Sequence, residues 1–171
     1  LYAQWEQLIW VKATKVWSGG TTRGEVTLQL RRNGINEGDP VTTTNGTYTW
    51  TDLVRLDAAG AEYNYTVVET AVPGYHVSYA RTRDELGNIS VTVTNTYEIP
   101  TDGTAAGQKI WVNGPAAHPE LWLQLWRKTT TGTPLKDEAV PSAAVIKANA
   151  AGNMAYTWTG LETTDFDGNP Y

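Results

Sequence analysis

The stretch Ile89-Ser90-Val91-Thr92-Val93-Thr94-Asn95-Thr96-Tyr97 alternates between one set of mainly apolar side chains and one set of Ser and Thr side chains. Successive side chains of a β-strand point to opposite faces, so this period of two predicts a strand with one face in a core. Asn95 lies on the apolar face. The chain repeats this pattern between turn residues and predicts strands near Ile9–Trp17, Val26–Arg32, Thr47–Leu53, Tyr63–Thr70, His76–Ala80 and Asn88–Tyr97. Short strands with frequent turns, and no helical stripe, indicate an all-β sandwich or barrel.

The composition excludes several classes of function. The chain has 171 residues, a net charge of −5 and a pI near 5.0, so it lacks the basic surface of a general nucleic-acid binder. It has no cysteine, which excludes a disulfide framework, and only two histidines, which leave little for a metal site or a Ser-His-Asp triad. Asp165–Asn169 faintly resembles a calcium loop but lacks the bidentate Glu. No metal and no cofactor are predicted, and no apolar run is long enough to span a membrane.

The second part of the chain repeats the first in order. Lys15-Val16-Trp17 recurs as Lys109-Ile110-Trp111, and Tyr48-Thr49-Trp50-Thr51-Asp52-Leu53 recurs as Tyr156-Thr157-Trp158-Thr159-Gly160-Leu161. Because the motifs recur in the same order, the sequence predicts tandem copies of one domain. The second copy carries an insertion, placed in the loop-like stretch Thr129–Ile146. The predicted division is a tail of a preceding repeat or linker at 1–7, a first domain at 8–99, a linker at 100–106 and a second domain at 107–171. The second domain is expected to be incomplete, because Tyr171 aligns with Tyr63.

Three polar residues fall on strand faces that otherwise point to the core: Lys15, Glu69 and Asn95. Desolvation lowers the pKa of an amine and raises that of a carboxylic acid. A neutral amine is a nucleophile, and a protonated acid can polarise a carboxamide or supply a proton to the departing ammonia. The three groups could therefore form a Lys–Asn isopeptide bond. The alternative is a non-covalent polar cluster, with a salt bridge between Lys15 and Glu69 and with Asn95 bonded to backbone.

The ordered motifs resemble the collagen-adhesin B-type (Cna-B) domain of Gram-positive surface and pilus proteins. The resemblance is carried by Thr14-Lys15-Val16-Trp17, Val26-Thr27-Leu28-Gln29-Leu30, Tyr48-Thr49-Trp50-Thr51-Asp52-Leu53, Tyr65-Thr66-Val67-Val68-Glu69, Val72-Pro73-Gly74-Tyr75 and Val93-Thr94-Asn95-Thr96-Tyr97. It implies tandem β-sandwiches of inverse Ig-like topology that serve as stalk modules. It also implies Lys15 as nucleophile, Asn95 as acceptor and Glu69 as catalyst. In the second copy only Lys109 matches, as part of a possible incomplete second site.

The N-terminal residues Leu1–Glu6 are similar to the closing strand of a Listeria–Bacteroides-type repeat. This similarity and the Cna-B resemblance together imply a modular protein of the bacterial cell surface, attached to the wall through its parent protein. Neighbouring domains of that protein are the expected partners.

The leading functional hypothesis is a structural stalk or spacer module that forms its own bond once and turns over no external substrate. A second hypothesis is a module that binds a host protein or a glycan through Trp122 and Trp126, which share a strand face and are expected to be exposed. Packing of these two tryptophans against the inserted loop is the structural alternative. A third hypothesis is an accessory domain of a hydrolase whose catalytic part lies elsewhere.

Overall fold

The computed structural model describes residues 7–43, 46–148 and 154–171. The chain divides into two compact units, unit 1 at Leu1–Glu98 and unit 2 at Ile99–Tyr171. Every regular element of the described residues is a β-strand, in agreement with the all-β prediction. No helix among them has the length and apolar character needed to cross a membrane. The predicted repeat end at Leu1–Glu6 lies outside the described residues.

Unit 1 is a sandwich of two sheets. One sheet has the order β5-β1-β8-β7, and in the other β2 pairs with β3 and β4 and also with β6. The first strand, β1, lies parallel to β8, and the remaining pairs are antiparallel. The strands are β1 (Leu8–Ser18), β2 (Val26–Arg32), β3 (Ile35–Asn36), β4 (Val41–Thr43), β5 (Gly46–Val54), β6 (Tyr65–Glu69), β7 (Tyr75–Arg83) and β8 (Ile89–Tyr97).

The core of unit 1 follows the alternation in the sequence. Alternate residues of β1, β2, β6 and β8 are buried, and they form one cluster with Trp50 packed against it. Tyr65 is fully buried and donates its hydroxyl hydrogen to the carbonyl of Val54. The predicted strand His76–Ala80 was too short, because β7 stays paired with β8 as far as Arg83. The prediction Tyr63–Thr70 was too long, because Tyr63 bonds to the backbone of Arg55 before β6 begins.

The described residues of unit 2 form three strand pairs: β9 with β14, β10 with β13, and β11 with β12. Its core consists of Val140, Trp158 and Leu161, with partly buried apolar neighbours. The strands are β9 (Gly103–Lys109), β10 (Leu121–Leu123), β11 (Trp126–Lys128), β12 (Asp137–Ala139), β13 (Ile146–Ala148) and β14 (Met154–Leu161).

Two sequence predictions for unit 2 are corrected. The stretch predicted as a linker, 100–106, contains the start of β9 at Gly103. Its small residues serve close packing, since a Cβ on Gly103 would lie 2.8 Å from the Leu161 carbonyl and one on Gly107 3.2 Å from the Trp158 ring. The predicted loop Thr129–Ile146 contains β12, which pairs with β11.

Candidate functional site

The two sheets of unit 1 bring Lys15, Glu69 and Asn95 together. Lys15 is on β1 opposite Val93 of β8, and Asn95 follows two residues later on the same face of β8. Glu69 is the last residue of β6 in the other sheet and pairs with Leu28. The exposed fractions are 3% for Lys15, 5% for Glu69 and 0% for Asn95. The burial predicted from strand parity is confirmed at all three positions.

Glu69 is the centre of this cluster. Its Oε2 lies 3.3 Å from the Nζ of Lys15, and its Oε1 accepts a hydrogen bond of 2.6 Å from the Nδ2 of Asn95. The Lys15 amine also donates to the carbonyl of Val16 at 3.2 Å and to that of Val93 at 3.5 Å. One carboxyl group thus contacts both the amine and the amide that the sequence predicted as reaction partners.

The contact with Nδ2 bears on the two roles that the sequence analysis gave to Glu69. A carboxylic acid could polarise the amide carbonyl, or it could protonate the leaving nitrogen. Glu69 contacts the nitrogen, and Asn95 Oδ1 has no hydrogen-bond partner among the described residues. The arrangement therefore fits proton delivery to the departing ammonia.

The unlinked cluster carries an energetic cost. Neither Asn95 Oδ1 nor Glu69 Oε2 accepts a hydrogen bond of good geometry from the described residues, although the Lys15 ammonium is within ion-pair distance of Oε2. A buried polar atom without such a partner costs about 1–3 kcal/mol. A neutral amide in place of the Lys15 ammonium would remove a buried charge and relieve part of this cost.

Burial also changes the proton affinity of the amine. Desolvation lowers the pKa of Lys15, and the nearby Glu69 carboxylate offsets this effect in part. The lowered pKa increases the fraction of neutral amine, which is the nucleophilic form. Trp17 covers the same group, with its ring centroid 4.3 Å from Nζ, and Tyr75 packs edge-on against Trp17.

Tyr79 is a site residue that the sequence analysis missed. The backbone N–H of Glu69 donates to the Tyr79 hydroxyl oxygen at 2.9 Å. Because β6 and β7 belong to different sheets, this bond ties the acid-bearing strand to the sheet that holds Lys15 and Asn95. The signal was the parity of β7, which places Tyr79 on the same face as Tyr75 and Val77.

The remaining candidate residues lie in unit 2. Lys109 donates to the carbonyl of Ile110 at 2.6 Å and lies 3.7 Å from the Trp111 ring centroid. Trp122 and Trp126 are 63% and 60% exposed, so their predicted exposure is confirmed, and Lys147 lies beside the Trp122 ring.

Asp165, the first residue of the calcium-like stretch, is buried against Lys136 and Asn169. No group of three or more metal-ligating side chains occurs in the part of the chain that the structure describes.

The topology and the buried triad define a class, the Ig-like β-sandwich domain whose first and last strands are parallel neighbours. The family model of the Cna protein B-type domain matches residues 11–96, and the chain belongs to this family. No curated protein matches the sequence significantly.

Three solved structures are similar to the chain. Two B repeat units of the collagen binding protein of Staphylococcus aureus share 22% identity over 96% of this chain and 43% of that one, with a TM-score of 0.54. The chain thus spans less than half of that structure, which supports the fold alone. A single B repeat unit of the same protein shares 23% identity over 92% of this chain and 79% of that one, with a TM-score of 0.42. The pilus adhesin SpaC of Lactobacillus rhamnosus GG shares 12% identity over 95% of this chain and 21% of that one, with a TM-score of 0.38.

Proposed function

We propose that the chain is a structural stalk or spacer module of a bacterial surface adhesin or pilus protein, and that unit 1 forms an isopeptide bond between Lys15 and Asn95. The observation that carries this proposal is the contact of one buried carboxyl group, Glu69, with both the Lys15 amine and the Asn95 amide. Membership in the Cna protein B-type family supports the stalk role.

The proposed reaction is balanced within the three side chains. The neutral amine of Lys15 attacks Cγ of Asn95, so a bond forms between Nζ and Cγ and the bond between Cγ and Nδ2 breaks. Glu69 donates its proton to Nδ2, which leaves as ammonia, and recovers a proton from the Lys15 nitrogen. The acid is regenerated and the bond is permanent, so the reaction occurs once and acts on no external substrate.

The position of the bond suits a protein under tension. Lys15 lies on the first strand of unit 1 and Asn95 on the last, and these strands are parallel neighbours. A pull on the two ends of the unit would pass from β1 to β8 through the covalent bond. Strands β2 to β7 lie between the two residues in sequence and would carry no load. Unfolding under force would then require rupture of a covalent bond or disruption outside this loop.

Surface display is part of the same proposal. The S. aureus relative is described as a collagen binding surface protein and the L. rhamnosus relative as a pilus adhesin. An extracellular position, with attachment to the cell wall and contact with neighbouring domains of one parent protein, fits a cysteine-free domain that gains its covalent link without an oxidant.

Intact-mass measurement of the purified chain tests the bond. We expect a mass about 17 Da below the sequence mass, because one ammonia is lost. Lys15→Ala, Asn95→Ala and Glu69→Ala should each restore the full mass. Lys12→Ala is the matched control, because Lys12 is on the same strand but the opposite face, and it should keep the deficit. A full-mass chain with a Lys15 that reacts freely with amine reagents would refute the bond.

A second candidate function rests on the exposure of Trp122 and Trp126. Two aromatic side chains that are more than half exposed can stack on sugars or contact another protein. Binding of the chain to a glycan array or to immobilised host matrix proteins, abolished by Trp122→Ala, would support ligand binding. If Trp122→Ala binds as well as the parent chain, or if the parent chain does not bind at all, ligand binding through Trp122 is refuted and the structural role is the remaining function.

A further inference from the structure

The two units contain the same pair of aromatic side chains on equivalent strands. Tyr48 and Trp50 of β5 meet edge to face with ring centroids 4.8 Å apart, and Tyr156 and Trp158 of β14 meet in the same way at 5.1 Å. The strands beside them are equivalent as well, because β5 pairs with β1 and β14 pairs with β9. The surroundings of the two tryptophans can therefore be compared position by position.

The connection that follows β3 in unit 1 and β12 in unit 2 differs in length. The backbone N–H of Glu37 donates to the carbonyl of Leu30 at 2.9 Å, and that of Val140 donates to the carbonyl of Leu125 at 3.0 Å. Since the two leucines are equivalent in the repeat, Glu37 and Val140 occupy equivalent positions. From there the connection to β4 has four residues in unit 1, whereas the connection to β13 has six in unit 2.

In unit 2 the longer connection covers the tryptophan. Val140 is 4% exposed and packs with Trp158 and Leu161, and Ala143 packs against the same cluster. The carbonyl of Ala144 accepts the indole N–H of Trp158 at 2.9 Å. Trp158 is therefore only 7% exposed. The cover thus consists of a branched apolar side chain and one backbone carbonyl from the same short segment.

In unit 1 the equivalent place is an open groove of about 350 Å³. Its apolar wall consists of side chains from β2 and β5, namely Leu30, Tyr48, Trp50 and Leu53. Glu37, at the position of Val140, pairs with Arg32 at 3.0 Å. Trp50 is half-buried, and none of the residues in the described ranges accepts a hydrogen bond from its indole N–H. The groove has the wall of the covered site in unit 2 without its cover.

The charge beside the groove favours a basic partner. Asp39 follows the lining residue Gly38, and Asp52 follows the lining residue Thr51. Neither carboxylate forms an ion pair with a residue that the structure describes. Two negative charges at the rim of an apolar groove attract a ligand that carries a positive charge next to its apolar group.

We propose that the groove of unit 1 is a docking site for a peptide segment of another protein chain, with the chemistry of the connection in unit 2. The segment places a branched apolar side chain against Leu30 and Trp50, and one of its backbone carbonyls accepts the Trp50 indole N–H. A basic residue of the segment lies near Asp39 and Asp52. The occupant of the equivalent place in unit 2 is itself a peptide segment, which favours this class of ligand over a sugar.

The test titrates the isotope-labelled full chain with a synthetic peptide of residues 140–147, whose Lys147 supplies the basic residue. We expect the Trp50 indole and Gly38 amide signals to shift and saturate, with a dissociation constant on the order of 1 mM. Trp50→Phe keeps an aromatic ring but removes the N–H, so binding followed at Gly38 should weaken about three- to tenfold. Trp10→Phe is the matched control and should leave the affinity unchanged, because Trp10 is a half-buried tryptophan of unit 1 outside the groove.

A loop exchange blocks the groove from within the chain. Replacement of residues 37–40 by the sequence of residues 140–145 should cover Trp50, slow the exchange of its indole hydrogen by about tenfold or more, and abolish peptide binding. Cellobiose is titrated in parallel, and a shift of the Trp50 signal by this sugar but not by the peptide would make the groove a sugar site and overturn the proposal. Absence of a shift at about 10 mM peptide would also overturn it. Equal affinity in Trp50→Phe, or binding that persists in the folded exchange variant, would do the same.

Discussion

Lys15 and Lys109 occupy equivalent positions in two copies of one strand, yet their surroundings differ. Both lie over the tryptophan two residues on, but only Lys15 is buried against a carboxyl group and an amide. The local pose comes from the strand, whereas the burial comes from β6 and β8 of unit 1, distant in sequence. The comparison indicates that the burial of this lysine depends on β6 and β8, whereas its position over the tryptophan ring does not. Four predictions break or sharpen this comparison.

The largest difference in stability between equivalent variants of the two units should come from the proposed bond in unit 1. Glu69→Gln keeps the shape of the side chain but removes the acid, so the chain should remain unlinked. Closure of a loop of about 80 residues contributes about 4–5 kcal/mol by analogy with disulfides, and unit 1 should lose about that much. Thermal and denaturant unfolding would measure it. Lys109→Ala, the equivalent change in unit 2, should alter stability by under about 0.5 kcal/mol. Similar losses in both variants would contradict the comparison.

A smaller effect is expected at Tyr79, which unites the two sheets at the reactive site. Tyr79→Phe removes the hydroxyl that accepts the Glu69 N–H, a partly buried hydrogen bond, at a cost of about 0.5–1.5 kcal/mol. The appearance of the mass deficit after refolding should be slower in this variant. Tyr48→Phe is a suitable control, because Tyr48 is exposed to a similar degree, 39% against 43% for Tyr79, and packs on Trp50 rather than against Glu69. Equal rates in Tyr79→Phe and the parent chain would exclude a positioning role.

The stability of unit 2 at acid pH should depend on Asp165. Burial alone would raise its pKa, but the Lys136 ammonium 2.9 Å away and the hydrogen bonds from Asn169 lower it to about 2. A carboxyl group whose pKa is lowered on folding stabilises the fold above its unfolded value of 3.8. This contribution, about 1 kcal/mol, is lost as the pH falls from about 4 to about 2.

The acid transition of unit 2 can be followed by hydrogen exchange of β14 and the turn that follows it. Asp165→Asn should weaken the transition, because the titrating group is gone. Asp167→Asn removes the same charge from an exposed position of the same turn and should leave the transition in place. A transition that is unaffected by Asp165→Asn would assign the acid sensitivity to other groups.

The burial of three polar side chains could be predicted from the sequence because strand parity decides which side chains face the core. Lys15, Glu69 and Asn95 were assigned to core faces by counting alternate residues, and all three are buried. Parity could not say which atom of Asn95 the carboxyl group contacts, because that depends on the spacing between the sheets. Tyr79 was missed for a similar reason, since its partner is a backbone group in the opposite sheet.

The boundaries of unit 2 were harder to predict, because a strand of small, closely packed residues has the same composition as a linker. Gly103 to Gly107 have the composition of a linker, yet they form a strand against Trp158 and Leu161. The inserted stretch looked like a loop because its strand β12 is only Asp137–Ala139. The ion pair between Lys136 of this stretch and Asp165 joins residues far apart in sequence, and no local pattern predicts it.

The smallest effect on stability is expected when an exposed tryptophan is replaced, in contrast to a tryptophan of the core. Trp122 is 63% exposed, so Trp122→Ala should change the unfolding free energy of unit 2 by less than about 0.5 kcal/mol. Trp158→Ala should cost about 3–5 kcal/mol, because this buried ring also donates its N–H to the carbonyl of Ala144. Denaturant unfolding of the two variants would measure the contrast. A large loss in Trp122→Ala would mean that its ring packs within the fold, and it would remove the physical basis for a ligand-binding face on unit 2.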